Sequence, residues 1–148
     1  MIDTPSTTLE TVRRLLLAVV VLGMAGTTTE LWLMNHYEDW KQLIPFAGMA
    51  IALLTLLWFA FSRSPLATGW FRVCMFLLMA VGATGTILHY RANMEFQLEM
   101  DSTLSGMALL LKVLHAKAPP ALAPGNMALL GLLGLISTVG INRATQQV

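Results

Sequence analysis

The sequence predicts an all-α integral membrane bundle of four transmembrane helices plus a short interfacial helix. Three observations predict it. Hydrophobic residues fill 56% of the 148 positions and charged residues only 11%, against about a quarter charged in a typical soluble domain. Mean hydropathy is +0.68, and so few polar side chains could not cover a soluble surface. The charges also cluster and leave long uncharged stretches, whereas a soluble helix shows them on its outer face at every turn. The whole chain, residues 1–148, reads as a single transmembrane domain.

Residues 1–12 are short and polar and read as a cytoplasmic tail. Arg13-Arg14 then introduces an apolar run over residues 15–34, and about 20 residues cover the roughly 30 Å hydrocarbon layer. A cleavable signal peptide is the weaker alternative, with an Arg pair, an apolar core and small residues around Gly23-Met24-Ala25. Residues 35–42 form a polar turn. The second span covers 43–61, with Pro45 in its first turn, where a missing N–H costs little. Residues 62–72 form a loop with Pro65 and Gly69 as breakers. The third span covers 73–92, and its helix continues outside the membrane through Glu95 and Glu99. Asp101, Ser102 and Thr103 are N-cap candidates for an interfacial helix over 103–116. Its apolar run is too short to span, and Lys112, His115 and Lys117 gather at its end as snorkelling or polar groups. Residues 118–125 are a stiff Pro-rich linker, and the fourth span covers 122–141 with Pro124 in its first turn.

The positive-inside rule sets orientation. Arg13, Arg14, Arg63, Arg72 and Arg143 fall on one side, and Lys41, Arg91, Lys112 and Lys117 on the other. The Arg pair before the first span tips the balance. The expectation is a multi-pass protein of the cell membrane, a bacterial inner membrane, with both termini cytoplasmic. Trp32, Tyr37, Trp40 and Tyr90 suit the outer interfacial belt, and Trp58 and Trp70 the inner one.

The segment Gly23 to Thr27 resembles Gly82 to Thr86, and Met49-Ala50-Ile51 resembles Met127-Ala128-Leu129. This suggests two helical hairpins related as a parallel repeat. Small residues at these spacings also let helices pack closely, and Gly131 and Gly134 belong to the same class.

Several functions lose support. No basic stripe is present, so nucleic acid is not an expected partner. CxxC, HExxH, P-loop and GxGxxG motifs are absent. No serine has an evident base, and Cys74 is remote from every His, so catalysis is not expected.

Glu30 is the residue that most needs explaining. It lies about 24 Å along a helix from Arg14, inside the outer hydrocarbon layer, and an ionisable group there marks a functional site by default. His89 reaches nearly the same depth, counted from Arg72. His36 and Glu95 form a second layer further out. Glu30 and His36 cannot both face one axis on a straight helix, so one must turn elsewhere or the helix must end between them. The functional expectation is a divalent metal or a proton held by Glu30, His36, His89 and Glu95, in a binding or transport component. Glu38, Asn93, Glu99 and His115 stand behind as supporting or partner-facing groups. Carboxylate plus imidazole suits Zn, Fe, Mn or Ni, and Met34, Met94 and Met100 would suit copper. Haem is disfavoured, because only His89 falls inside a span.

The competing expectation is an accessory subunit or assembly factor of a larger membrane complex. There Glu30 and His89 merely hydrogen-bond, and Arg91, Glu95 and Glu99 form an exposed ion-pair stripe. The expected partners are the lipid bilayer and other membrane subunits or further copies of the chain.

Overall fold

The computed structural model describes residues 5–62, 64–116 and 122–141. Arg63, Lys117, Arg143 and the first part of the expected linker lie outside these residues. Five α-helices form, with no strand among the described residues. Helix α1 is Pro5–Leu33. A 3-10 turn, Trp40–Leu43, leads directly into α2, Ile44–Ser62. Helix α3 is Pro65–Met100, α4 is Gly106–Leu114 and α5 is Leu122–Ser137.

Three stretches are long and apolar enough to cross a membrane: Thr7–Leu33, Trp40–Ser62 and Pro65–Met100. Helix α5 has 16 residues, about 24 Å at 1.5 Å per residue, so a fourth span is not shown. Helix α3 has 36 residues, about 54 Å. It outlasts the roughly 30 Å hydrocarbon layer, and it runs through Glu95 and Glu99 as the sequence suggests.

Three expected boundaries need correction, each for a local reason. Helix begins at Pro5, inside the supposed tail, where Glu10 reaches both Arg13 and Arg14 at 2.9 and 3.3 Å one turn on. Most of the supposed loop 62–72 is the first part of α3. Ser64 caps it, accepting from the Ala67 amide at 3.2 Å, and Pro65 sits at the first helical position. Asp101 ends α3 instead of starting α4. Its amide donates to Gln97 O, and its Oδ1 accepts from the Thr103 amide at 3.0 Å and the Thr103 hydroxyl at 2.6 Å. Those bonds hold its carboxyl below the usual carboxylate range, with Lys112 adding a smaller pull. Ser105 takes the N-cap of α4 without a side-chain bond, and Val113 is the one fully buried residue of this short helix.

Helix α3 is the spine. It packs most extensively on α5 and next on α2, while α1 lies mainly against α5 and touches α2 only lightly. A parallel repeat of hairpins would make α1–α2 resemble α3–α5; these two contacts are unequal. Helix α5 runs antiparallel to α3: Gly82 faces Pro124 and Ala128, and Gly131 faces Met75 and Met79. These glycines bring the two backbones together, the usual way helices pack where lipid offers no hydrophobic incentive. Phe71, Met75 and Val20 are the largest fully buried side chains of the core, and Phe59 stacks on Phe71 at 5.0 Å between α2 and α3. A part-buried hydrogen bond crosses it, from the Asn126 amide of α5 to the buried Thr27 hydroxyl of α1.

At one end of the bundle two arginines hold the C-terminus of α5. Arg13 donates to Ser137 O at 2.8 Å and to Val139 O at 3.2 Å. Arg72 donates to Thr138 Oγ1 and Thr138 O, both at 2.9 Å. The helix leaves its last carbonyls unsatisfied and carries negative partial charge there, so two guanidinium groups answer both needs. The candidate site lies at the opposite end.

Candidate binding site

Helices α2 and α5 both lie on α3 without extensive contact between them. Near their first turns they leave a cleft of about 680 Å³. Its walls are apolar: Leu31 from α1, Pro45 from α2, Leu77, Val81 and Leu88 from α3, and Ala123, Pro124 and Met127 from α5. Between these larger α3 side chains lie three small ones, Ala80, Thr84 and Gly85. Thr84 aside, its polar lining residues are His36, His89, Lys41 and Gln42, beside Trp40; they come from the α1–α2 turn and the far part of α3 and form its mouth.

The local chain explains why His36 is there. Helix α1 ends at Leu33, between Glu30 and His36, which resolves the difficulty that both could not face one axis of a straight helix. Asn35 adopts φ 55°, the left-handed conformation that asparagine tolerates better than most residues. The His36 amide then donates to Leu31 O at 2.9 Å and the Asn35 amide to Trp32 O at 3.1 Å. This is the double bond pattern of a Schellman helix end. It reverses the chain and lays His36 over Leu31. Asn35 is held in turn, its Oδ1 accepting from the Tyr37 hydroxyl at 2.8 Å.

Lys41 and Gln42 are positioned by a capping box. Asp39 Oδ1 accepts the Lys41 amide at 3.2 Å, and Gln42 Oε1 accepts the Glu38 and Asp39 amides at 2.9 and 3.4 Å. The Lys41 ammonium stands 5.9 Å from the Trp40 ring centroid, within cation–π range.

His36 meets His89 with ring centroids 6.1 Å apart and planes at 35°. Partial burial lowers the His36 pKa, and the neighbouring His89 lowers it further. Each effect disfavours the imidazolium.

Of the four residues expected to share a metal, only His36 and His89 are brought together. Glu30 is exposed, and among the described residues its carboxylate makes no hydrogen bond or ion pair. The partner of His89 is thus an imidazole, not Glu30. Glu95 and Glu99 are exposed along α3, and no ion pair joins them to Arg91 among the described residues. Glu38 is exposed in the turn and Asn93 is half-buried. His115 ends α4, with its Nδ1 2.8 Å from Leu111 O. Met34 and Met100 are exposed. Among the described residues no three of His, Cys, Asp and Glu form a group able to hold a metal ion.

Residues that sequence reasoning passed over are Asn35, Gln42 and Asn126. The first had a readable signal: an Asn directly after an apolar run is a candidate left-handed helix stop. The third is an amide in an otherwise apolar helix, which in a bilayer must find a partner. Gln42, three residues after Asp39, completes a capping-box pattern. No family model, no curated protein and no solved structure matches the chain, so function is argued from its own residues.

Proposed function

We propose that the chain is a binding component of a bacterial inner membrane, with four spans and both ends cytoplasmic. Its cleft takes an amphipathic molecule from the bilayer, apolar part inward and head group at His36 and His89. The observation that carries this reading is the cleft: about 680 Å³, apolar-walled, with His36, Lys41, Gln42 and His89 its polar lining residues besides Thr84. That size and lining match small-molecule sites in general. For the fourth span, α5 lies along α3 from Gly85 to Arg72. It therefore crosses much of the same layer as α3. For orientation, Arg13, Arg14 and Arg72 lie at the end opposite the cleft, which the positive-inside rule places in the cytoplasm. The mouth then faces outward.

Native mass spectrometry of the protein purified in mild detergent tests the reading. A bound lipid or lipophile at one per chain is expected, lost in Val81→Trp, which fills the cleft. Full retention in a folded Val81→Trp protein would place the ligand elsewhere.

One observation favours a second reading. At metal–nitrogen distances of about 2.0–2.1 Å, two imidazoles on one tetrahedral ion hold their ring centres roughly 5 Å apart, and His36 and His89, at 6.1 Å, reach that with a closure of about 1 Å. A divalent metal there would take its remaining ligands from water or from the bound molecule. Plasma mass spectrometry on wild type and His36→Ala decides it: stoichiometric metal in the first alone supports the ion, and equal content in both removes it.

A further inference from the structure

Resting on the cleft reading above, we infer that the occupant is a long-chain amphiphile with an anionic head, drawn from the outer leaflet. Among the described residues the mouth offers this head the Lys41 ammonium, the His36 and His89 imidazoles and the Gln42 side chain, and no Asp or Glu lines the cleft. The acids adjacent in sequence do not cancel this: Glu30, beside Leu31, is exposed and does not line the cleft. Asp39 is turned into the capping box and Glu38 is exposed in the turn, and neither lines the cleft. Ala123 and Pro124 place the first turn of α5 at the same cleft, so the positive end of that helix adds to the field. The arrangement also fits the chemistry of the pair. Burial and the neighbouring His89 ring, 6.1 Å away, disfavour the His36 imidazolium, and an anion beside the pair would offset both. A neutral head would leave the Lys41 ammonium without a counter-charge at the mouth. A cationic head would be repelled.

Trp40, the one tryptophan lining the cleft, supplies the readout. In a variant with Trp32, Trp58 and Trp70 changed to Phe, its fluorescence is titrated in neutral detergent at neutral pH. The probes are a chain-brominated long-chain fatty acid and the methyl ester of the same acid. The chain and the bromines are identical, and only the charge differs. The expected result is saturable quenching by both, with the acid acting at about tenfold lower concentration, the effect of one charge-assisted hydrogen bond. Lys41→Gln should shrink this advantage and Lys41→Arg should keep it. Equal midpoints for acid and ester would overturn the anionic head while leaving the cleft as a binding site. A preference for the acid untouched by Lys41→Gln would overturn the mouth as its source. Absence of saturable quenching by either probe would overturn the cleft reading itself.

Discussion

Replacing Gly131 by alanine tests the packing that shapes the cleft. A Cβ at this position would lie 2.5 Å from Met75 O, 2.8 Å from Met79 N and 2.9 Å from Met79 Cβ. Two of these atoms are α3 backbone and the third is fixed to it, so no side-chain rotation relieves the clash. Helices α3 and α5 must separate. Overpacking a close contact costs about 1–3 kcal/mol, and a backbone-to-backbone clash belongs at the upper end. The control is Gly26→Ala, in the interior of α1, where a Cβ meets nothing within 4 Å. There the better helix propensity of alanine gains about 0.8–1.0 kcal/mol. Gly131 lies inside α5 and gains the same propensity, so that gain cancels and the two variants, chemically the same change, should differ by about 3 kcal/mol. Unfolding in mixed micelles, followed by far-UV circular dichroism against denaturing detergent, reads the difference. If Gly131→Ala unfolds with wild type, or with Gly26→Ala, then the α3–α5 register described above is wrong.

Four further outcomes are expected. Arg72→Gln removes the bonds to Thr138 and should cost about 1.5–3 kcal/mol, with Arg72→Lys recovering only part because an ammonium lacks the planar fork; thermal unfolding checks both. Asn35→Gly should fold as wild type, whereas Asn35→Val forces a β-branched residue into left-handed backbone at about 1–2 kcal/mol, displaces His36 and weakens Trp40 quenching by the brominated acid. Asn126→Leu strands the buried Thr27 hydroxyl and should cost about 0.6–1.7 kcal/mol, the range for polar contacts between membrane helices, read in the same mixed-micelle unfolding. Stability should fall as pH drops below about 6.5, the ordinary histidine value. The folded His36 pKa lies below it, so the unfolded chain binds more protons through that window. His36→Gln should flatten this slope in unfolding curves taken across the same range.

The sequence carried the long apolar helices, because a lipid-facing helix must be apolar nearly all round and long enough for the layer. It carried the prolines in the first turns of α2 and α5 and the helical extension past Tyr90. It misplaced the boundaries at Pro5, Ser64 and Asp101, where polar residues that resemble loop act as caps or ion-pairing turns. At the site, His36 and His89 were both legible as polar residues at one end of the bundle. Their partnership was not. Depth counted along straight helices pairs His89 with Glu30, which is still on α1, whereas His36 comes back to His89 only because Asn35 reverses the chain. The cleft could not be read at all, since it exists where α2 and α5 fail to meet over small residues of α3.

That gap has an energetic consequence. Left empty, an apolar cavity of 680 Å³ would cost about 16 kcal/mol at about 24 cal/mol per Å³, as much as the whole stability of an ordinary domain. On the proposed reading the cleft is open to the bilayer, so hydrocarbon chains fill it. A ligand therefore displaces lipid chains of nearly equal apolar character, and its own chain gains almost nothing by entering. Selection between the two falls to the only part of the site that differs from bilayer, the mouth with Lys41, Gln42, His36 and His89. For this reason substitutions there should change which molecule is held, whereas trimming an apolar wall residue such as Leu88 should change affinity little.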